Sequence, residues 1–358
     1  MKALVLSGGA GTRLRPITHT SAKQLVPVGN KPVLFYGLEA IKDAGVVDVG
    51  IVVGETAPEV MAAVGDGSAL GLRVTYIPQD RPLGLAHAVL IAQEFLGDDP
   101  FVMYLGDNFL LGGIEDLVKQ FDAGQSAAQI LLTKVANPQQ FGIAVLDENK
   151  KVRHLVEKPK QPPSDLALVG VYMFRDPIHQ AVRAIQPSAR GELEITDAIQ
   201  WLIDQDFTVD SFMVTGYWKD TGKLDDMLEC NRAVLAGLTS SYESDRVVDS
   251  QIEGTLVQDE SAMIENTQIV GPVIIGRRVK IKDSLIGPNV SIADDCEITQ
   301  SSLRDSIVLG GTQIRGVRQI ASSLIGKEAQ VHGSQVDLGE VHLMIGDHSQ
   351  VQIGVSDS

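Results

Sequence analysis

Within its first sixteen residues the chain passes from a short apolar run, Leu4-Val5-Leu6, through Ser7 into Gly8-Gly9-Ala10-Gly11-Thr12-Arg13-Leu14-Arg15-Pro16. Glycines let backbone N–H groups close around a phosphate, and arginine adds a planar fork of donors. The segment therefore reads as an anion cradle. Two better-known phosphate loops do not fit it. A dinucleotide fingerprint needs a third glycine where Leu14 stands and an acid about 20 residues further on, and a P-loop needs Gly-Lys-Ser/Thr where Thr12-Arg13-Leu14 stands.

Two carboxylates stand out by position. Asp107 follows the apolar run 101–105, and Asp220 follows Tyr217-Trp218 at a second strand end. Carboxylates delivered to one rim can share a hard cation with phosphate oxygens; the plainer reading makes Asp107 a turn cap before Asn108 and Asp220 the start of the Thr221-Gly222 turn. Among the histidines, His19, His87, His154, His179, His332, His342 and His348, no zinc spacing occurs. Cys230 and Cys296 provide neither a disulfide framework nor a C-x-x-C pair, which fits a reducing cytoplasm.

The elements that must position these residues follow from periodicity. Runs 2–6, 47–53, 73–77 and 100–105 read as buried strands, and 32–44, 85–95 and 114–121 as amphipathic helices between them. That alternation predicts an α/β domain with a mostly parallel sheet, whose ligand site lies at the carboxyl ends of the strands. Residues 141–156 read as a hairpin around Asp147-Glu148-Asn149 and 166–174 as another strand, together forming a small antiparallel flap beside the main sheet. Beyond about Ser240 helical periodicity stops. Aliphatic residues recur about every six positions (Ile275, Ile281, Ile286, Ile292, Ile298, Ile325, Val331, Ile345, Val351), as in a parallel β-helix. The short step from Ile281 to Ile286 and the gap at 316–321 read as loops leaving the coil. Two domains are expected, 1–240 and 241–358.

Charge narrows the partners. With 46 acidic and 30 basic residues the net charge is −16, which argues against nucleic acid and anionic membrane. Lys2, Arg13, Arg15, Lys23 and Lys31 precede the first acid, Glu39, so the opening segment is +5 and the remainder −21. An anion belongs at the N-terminal segment. The apolar run before the glycines is too short for a signal peptide, and no run elsewhere approaches the 18 or so apolar residues of a membrane span.

The glycine-rich segment resembles the signature of the sugar-1-phosphate nucleotidyltransferases, G-G-x-G-T-R-L-x-P followed by K-Q-L-x-P-V, here Lys23-Gln24-Leu25-Val26-Pro27-Val28. The resemblance continues in order through Gln79, Pro82-Leu83-Gly84, Leu105-Gly106-Asp107-Asn108, Phe141-Gly142, Glu157-Lys158-Pro159, Gly170-Val171-Tyr172, Arg190 to Asp197, and Trp218 to Gly222. It implies a Rossmann-like mixed sheet with a C-terminal left-handed parallel β-helix, and attack by a sugar 1-phosphate on the α-phosphorus of a nucleoside triphosphate. The substrates implied are dTTP, or UTP, and glucose 1-phosphate or another hexose 1-phosphate, with pyrophosphate leaving and Mg²⁺ as cofactor. Arg13, Lys23, Lys158 and Asp107 would be catalytic. Leu6, Gly8, Gly9, Gly11, Thr12, Gln24, Gln79 and Gly84 would join them around the nucleotide, the glutamines reading the imide edge of the base. Asn108, Gly142, Glu157, Lys158, Gly170, Tyr172 and Arg190 would hold the sugar phosphate, and Asp107 with Asp220 the metal. Glu157 can instead simply pair with Lys158, and Arg15 either contacts phosphate or lies on the surface. His87 departs from the glutamine usual in short-form relatives. The β-helix would support a homo-oligomer or bind an effector; acyl transfer there would rest on His332, His342 or His348. A non-catalytic sensor would have lost one of Arg13, Lys23, Asp107, Lys158 or Asp220, and all five are present.

Overall fold

The computed structural model describes every residue except 10, 215, 334–338 and 355–358. Contacts divide the chain into two compact units, Met1–Ala10 with Val33–Asp220 and Gly11–Pro32 with Thr221–Ser358. The texture change near Ser240 lies inside the second unit.

In the first unit β1 (Lys2–Ser7), β2 (Asp48–Val53), β3 (Arg73–Pro78) and β4 (Phe101–Leu105) run parallel. Ala3, Leu4, Val5, Val49, Ile51, Val52 and Phe101 to Tyr104 are all buried, so β1, β2 and β4 appear in the sequence as continuous apolar runs, not as alternating ones. Helices α1 (Val33–Asp43), α2 (Ala57–Val64), α3 (Leu85–Ile91), α4 (Gln93–Leu96) and α5 (Glu115–Ala123) alternate with them. The single helix expected over 85–95 is thus two. Ala92, at φ −85° and ψ 0°, leaves the α region although its N–H still bonds to Ala88 O.

The remaining strands are β5 (Asn108–Leu110), β6 (Ala128–Lys134), β7 (Gly142–Leu146), β8 (Val152–Glu157), β9 (Leu166–Phe174), β10 (Val209–Met213) and β11 (Trp218–Asp220). Among the described residues the main sheet has nine strands in the order β8-β7-β9-β4-β1-β2-β3, with β6 also on β9 and β10 on β6. This corrects the expected flap. The β7–β8 hairpin forms, but β9 pairs antiparallel with β4 and touches β7 through Ala167 and Ile143, so the hairpin extends the main sheet. The reason lies in β9 itself: Ala167 to Phe174 are all buried, which demands cover on both faces and partners on both edges. Helices α6 (Pro177–Ala184) and α7 (Ile195–Asp204) complete the apolar core.

In the second unit, α8 (Leu224–Ala236) precedes three parallel sheets of seven, five and six strands, the faces of a parallel β-helix. Aliphatic columns fill its interior: Ile264, Ile281, Ile298, Ile314, Val331 and Val351 stack in register, as do Ile269, Ile286, Leu303 and Ile320. Most coils advance 17 residues, as from Ile264 to Ile281 to Ile298. The six-residue spacing was therefore an average, and two expected loops are not loops. The five-residue step from Ile281 to Ile286 recurs as Ile264 to Ile269 and Ile298 to Leu303, making it the short side of each coil. Residues 316–321 also stay in the coil: Val317 N–H bonds to Ser301 Oγ, and Ile320 stacks on Leu303.

Candidate active site

The parallel strands β1 to β4 end on one rim, at Ser7, Val53, Pro78 and Leu105. The residues that follow carry the chemistry. Gly106 N–H bonds to Leu6 O, and Gln79 N–H to Val53 O, so Gly8, Gln79 and Asp107 leave the sheet side by side. Gln79 Oε1 lies 3.4 Å from where a Gly8 side chain would begin, so the carboxamide faces open backbone. Its Nε2 donates to His87 Nδ1 at 3.0 Å. Burial holds His87 below the usual imidazole range, which favours the neutral ring near pH 7. The carboxamide nitrogen thus faces His87 and the oxygen faces Gly8. Gly84 opens α3 at φ 105°.

The second aspartate lies on the strand paired with the segment that follows the first. β11 runs antiparallel to β5 with Asp220 directly opposite Asn108, the residue after Asp107. Asn108 is buried, and its Nδ2 donates to Asp107 Oδ1 at 3.1 Å. Its oxygen accepts from Gly170 N–H at 3.1 Å and from the Trp218 indole at 2.7 Å. Asn108 and Gly170, expected from sequence as sugar contacts, are thus tied to each other and, through Asn108, to Asp107. Asp107 and Asp220 both offer hard carboxylate oxygens, the donor type that suits a divalent ion. Among the described residues no cluster of three or more His, Cys, Asp or Glu could hold a metal alone.

A second group forms on β7, β8 and α7. Lys158 Nζ lies 3.2 Å from Glu157 Oε1, Thr196 Oγ1 donates to Glu157 Oε2 at 3.2 Å, and Arg190 reaches Glu157 at 4.0 Å and Glu194 at 3.1 Å. Lys158 sits at φ 40°, a left-handed conformation that costs a non-glycine residue roughly 1–3 kcal/mol. Burial, then Glu194 and Glu157, push Asp197 above the usual carboxylate range. Tyr172 stacks on Phe174, and burial with the Glu157 charge raises its phenol. Gly142 lies at the start of β7, against Thr196.

Gly11, Thr12, Arg13, Arg15, Lys23 and Gln24 belong to the second unit, and Gly9 to the first. Gly11, at φ 60°, has Lys23 Cβ only 2.9 Å from where its own Cβ would be, so this turn requires glycine. Thr18 Oγ1 donates to Gly11 O at 2.7 Å, folding the loop on itself. Thr12 and Arg13 are exposed, and the Arg13 guanidinium lies against Gly222. Arg15 is exposed as well. Lys23 is only 6% exposed, which removes the reading of a solvated surface lysine. Gln24 is buried and its Oε1 has no hydrogen-bond partner, an acceptor left open for an N–H donor. Gly9 is exposed on the loop after β1. On the β-helix, His342 and His348 are exposed beside Glu340 and Glu328.

A parallel-stranded α/β sheet with Gly8, Gln79 and Asp107 at its rim, followed along the chain by a β-helix, defines a nucleotidyltransferase. The chain matches the nucleotidyl transferase family over residues 2–237 and the GMPPB C-terminal domain over residues 269–355, and it belongs to the nucleotidyl transferase family. It is 56% identical over 355 residues to a glucose-1-phosphate thymidylyltransferase of Streptomyces griseus and 58% identical over 354 to that of Streptomyces antibioticus, covering 99% of both chains in each case. Among solved structures, a Bacillus anthracis protein described as a glucose-1-phosphate thymidylyltransferase, in complex with a sucrose, matches with 33% identity and a TM-score of 0.62, over 67% of this chain and 97% of that one. Among the described residues no helix is long and apolar enough to cross a membrane.

Proposed function

We propose that the protein transfers a thymidylyl group from dTTP to glucose 1-phosphate, giving dTDP-glucose and pyrophosphate, with Mg²⁺ as the ion. A phosphate oxygen of the sugar attacks the α-phosphorus, the bond to the bridging oxygen breaks, and pyrophosphate leaves. Little covalent work falls to the protein; it holds two anions in line and offsets charge that grows in the transition state. Arg13 and Lys23 serve the triphosphate, Lys158 the sugar phosphate, and Gln79 with Gln24 the imide edge of the base. Asp107 and Asp220 would hold the cation, which would supply Lewis-acid stabilisation when bound.

The observation that supports this reading is the register of β11 on β5, in which Asp220 lies opposite Asn108, the neighbour of Asp107. The choice of dTTP and glucose 1-phosphate leans on the full-length relatives. Purified protein given dTTP, glucose 1-phosphate and Mg²⁺ is expected to release pyrophosphate, and none released would sink the proposal. Competition among dTTP, UTP and ATP fixes the base. We also propose a cytoplasmic homo-oligomer, which sedimentation of the full chain tests.

A further inference from the structure

Residues Gly11–Pro32 carry Arg13, Lys23 and Gln24, and they pack on the β-helix within one compact unit. Two sets of hydrogen bonds tie them there. At the far end of the helix, Asp347 Oδ2 accepts from Thr20 Oγ1 at 2.8 Å and from Ser21 Oγ at 3.2 Å. The other oxygen of Asp347 accepts from Lys327 N–H at 2.8 Å, which locks the carboxylate to its coil. Gly346, beside it, lies against Pro16. Further along, Gly29 N–H donates to Asn231 Oδ1 at 2.8 Å and Asn30 Nδ2 to Ile292 O at 2.7 Å. The short helical turn Lys23–Leu25 hangs between these ties.

Asp294 gives an internal comparison. Its Oδ1 accepts from Arg277 N–H at 2.8 Å, the same corner bond that Asp347 makes to Lys327, but its Oδ2 accepts from Arg277 Nε. At Asp294 one oxygen thus serves the backbone of the coil and the other a side chain of the same coil. At Asp347 the second oxygen is spent on the loop.

We propose that the last coil of the β-helix belongs to the nucleotide-binding machinery, with Asp347 a positioning residue that holds the Gly11–Pro32 loop in the shape that receives a triphosphate. This rests on the reading of Arg13 and Lys23 as phosphate-binding residues. A loop released from Asp347 must be ordered each time nucleotide binds, and that entropy is taken from affinity. The relevant ligand is the polyphosphate of the nucleotide.

The test uses the full chain carrying Asp347→Ala, Asp347→Asn and, as a control for the corner alone, Asp294→Ala. Asp347→Ala is expected to raise the KM for dTTP about tenfold, with a smaller change in kcat, and to speed amide hydrogen exchange in residues 12–24. Asp347→Asn keeps an acceptor and restores most of the affinity. Adding Ser21→Ala to Asp347→Ala is expected to change the KM little further, because both remove the same bond. Asp294→Ala lowers Tm without moving either readout. A lowered Tm for Asp347→Ala with unchanged KM and unchanged exchange would overturn the proposal. If the wild-type protein releases no pyrophosphate, the reaction assignment fails, while the exchange measurement still decides whether Asp347 holds the loop.

Discussion

At the scale of single residues, hydrogen bonds orient the candidate site. Asp107 is held by Asn108, which Gly170 and Trp218 hold in turn. Replacing Asp107 or Asp220 with asparagine keeps volume and removes charge, so each is expected to lower kcat by at least about 10²-fold while Tm stays close to wild type. Steady-state kinetics with melting curves checks this. His87 acts in a different way. With its Nδ1 removed in His87→Leu, the Gln79 carboxamide is free to turn its NH₂ toward the base, where cytosine N3 is an acceptor and thymine N3–H is not. The preference for dTTP over dCTP is expected to fall about tenfold, and His87→Gln to recover part of it. An unchanged preference would show that Gln79 needs no such partner.

At the scale of elements, long strands and aliphatic columns were legible because burial on both faces writes itself as apolar composition. β1, β2 and β4 were expected within a residue or so of their observed ends, and β9 at its observed bounds. The pairing of β9 with β4 was not, because antiparallel addition to a parallel sheet leaves no local signal. The candidate site divides in the same way. Its glycines, arginine and carboxylates carried a spacing signature, whereas the bonds from Asp347 to Thr20 and Ser21 join residues more than 300 positions apart, beyond any periodicity. Asn231 on α8 was equally silent. Its Oδ1 accepts from both Gly29 N–H and Ser291 Oγ, deep in the second unit. Asn231→Leu strands both donors, and a loss of about 2–3 kcal/mol is expected from denaturant titration, against little for an exposed control such as Asn149→Leu.

For the molecule as a whole, stability should depend on pH through buried imidazoles. His179 is 3% exposed and stacks on Phe101; burial lowers its proton affinity, with Arg183 acting in the same direction and Asp176 and Asp98 opposing. His87 is shifted the same way. The unfolded chain therefore takes up protons below pH about 6.5 that the folded chain refuses, so stability is level above that pH and falls as pH drops through it. Melting curves from pH 8 to 5 are expected to show the fall, and His179→Leu to flatten it. A final consequence concerns length. Because each coil of the β-helix adds about 4.8 Å in the direction of stacking, the number of coils sets how far Asp347 stands from Asn231 and Ile292, which receive the other end of the same loop. The helix is thus a ruler graduated in coils. Excising residues 297–312 keeps the aliphatic columns in register and both anchors in place yet brings Asp347 one graduation nearer, out of reach of its hydroxyl partners. Insertions and deletions of whole coils, which ordinary solenoids accept, are expected here to leave a folded protein with weakened nucleotide binding.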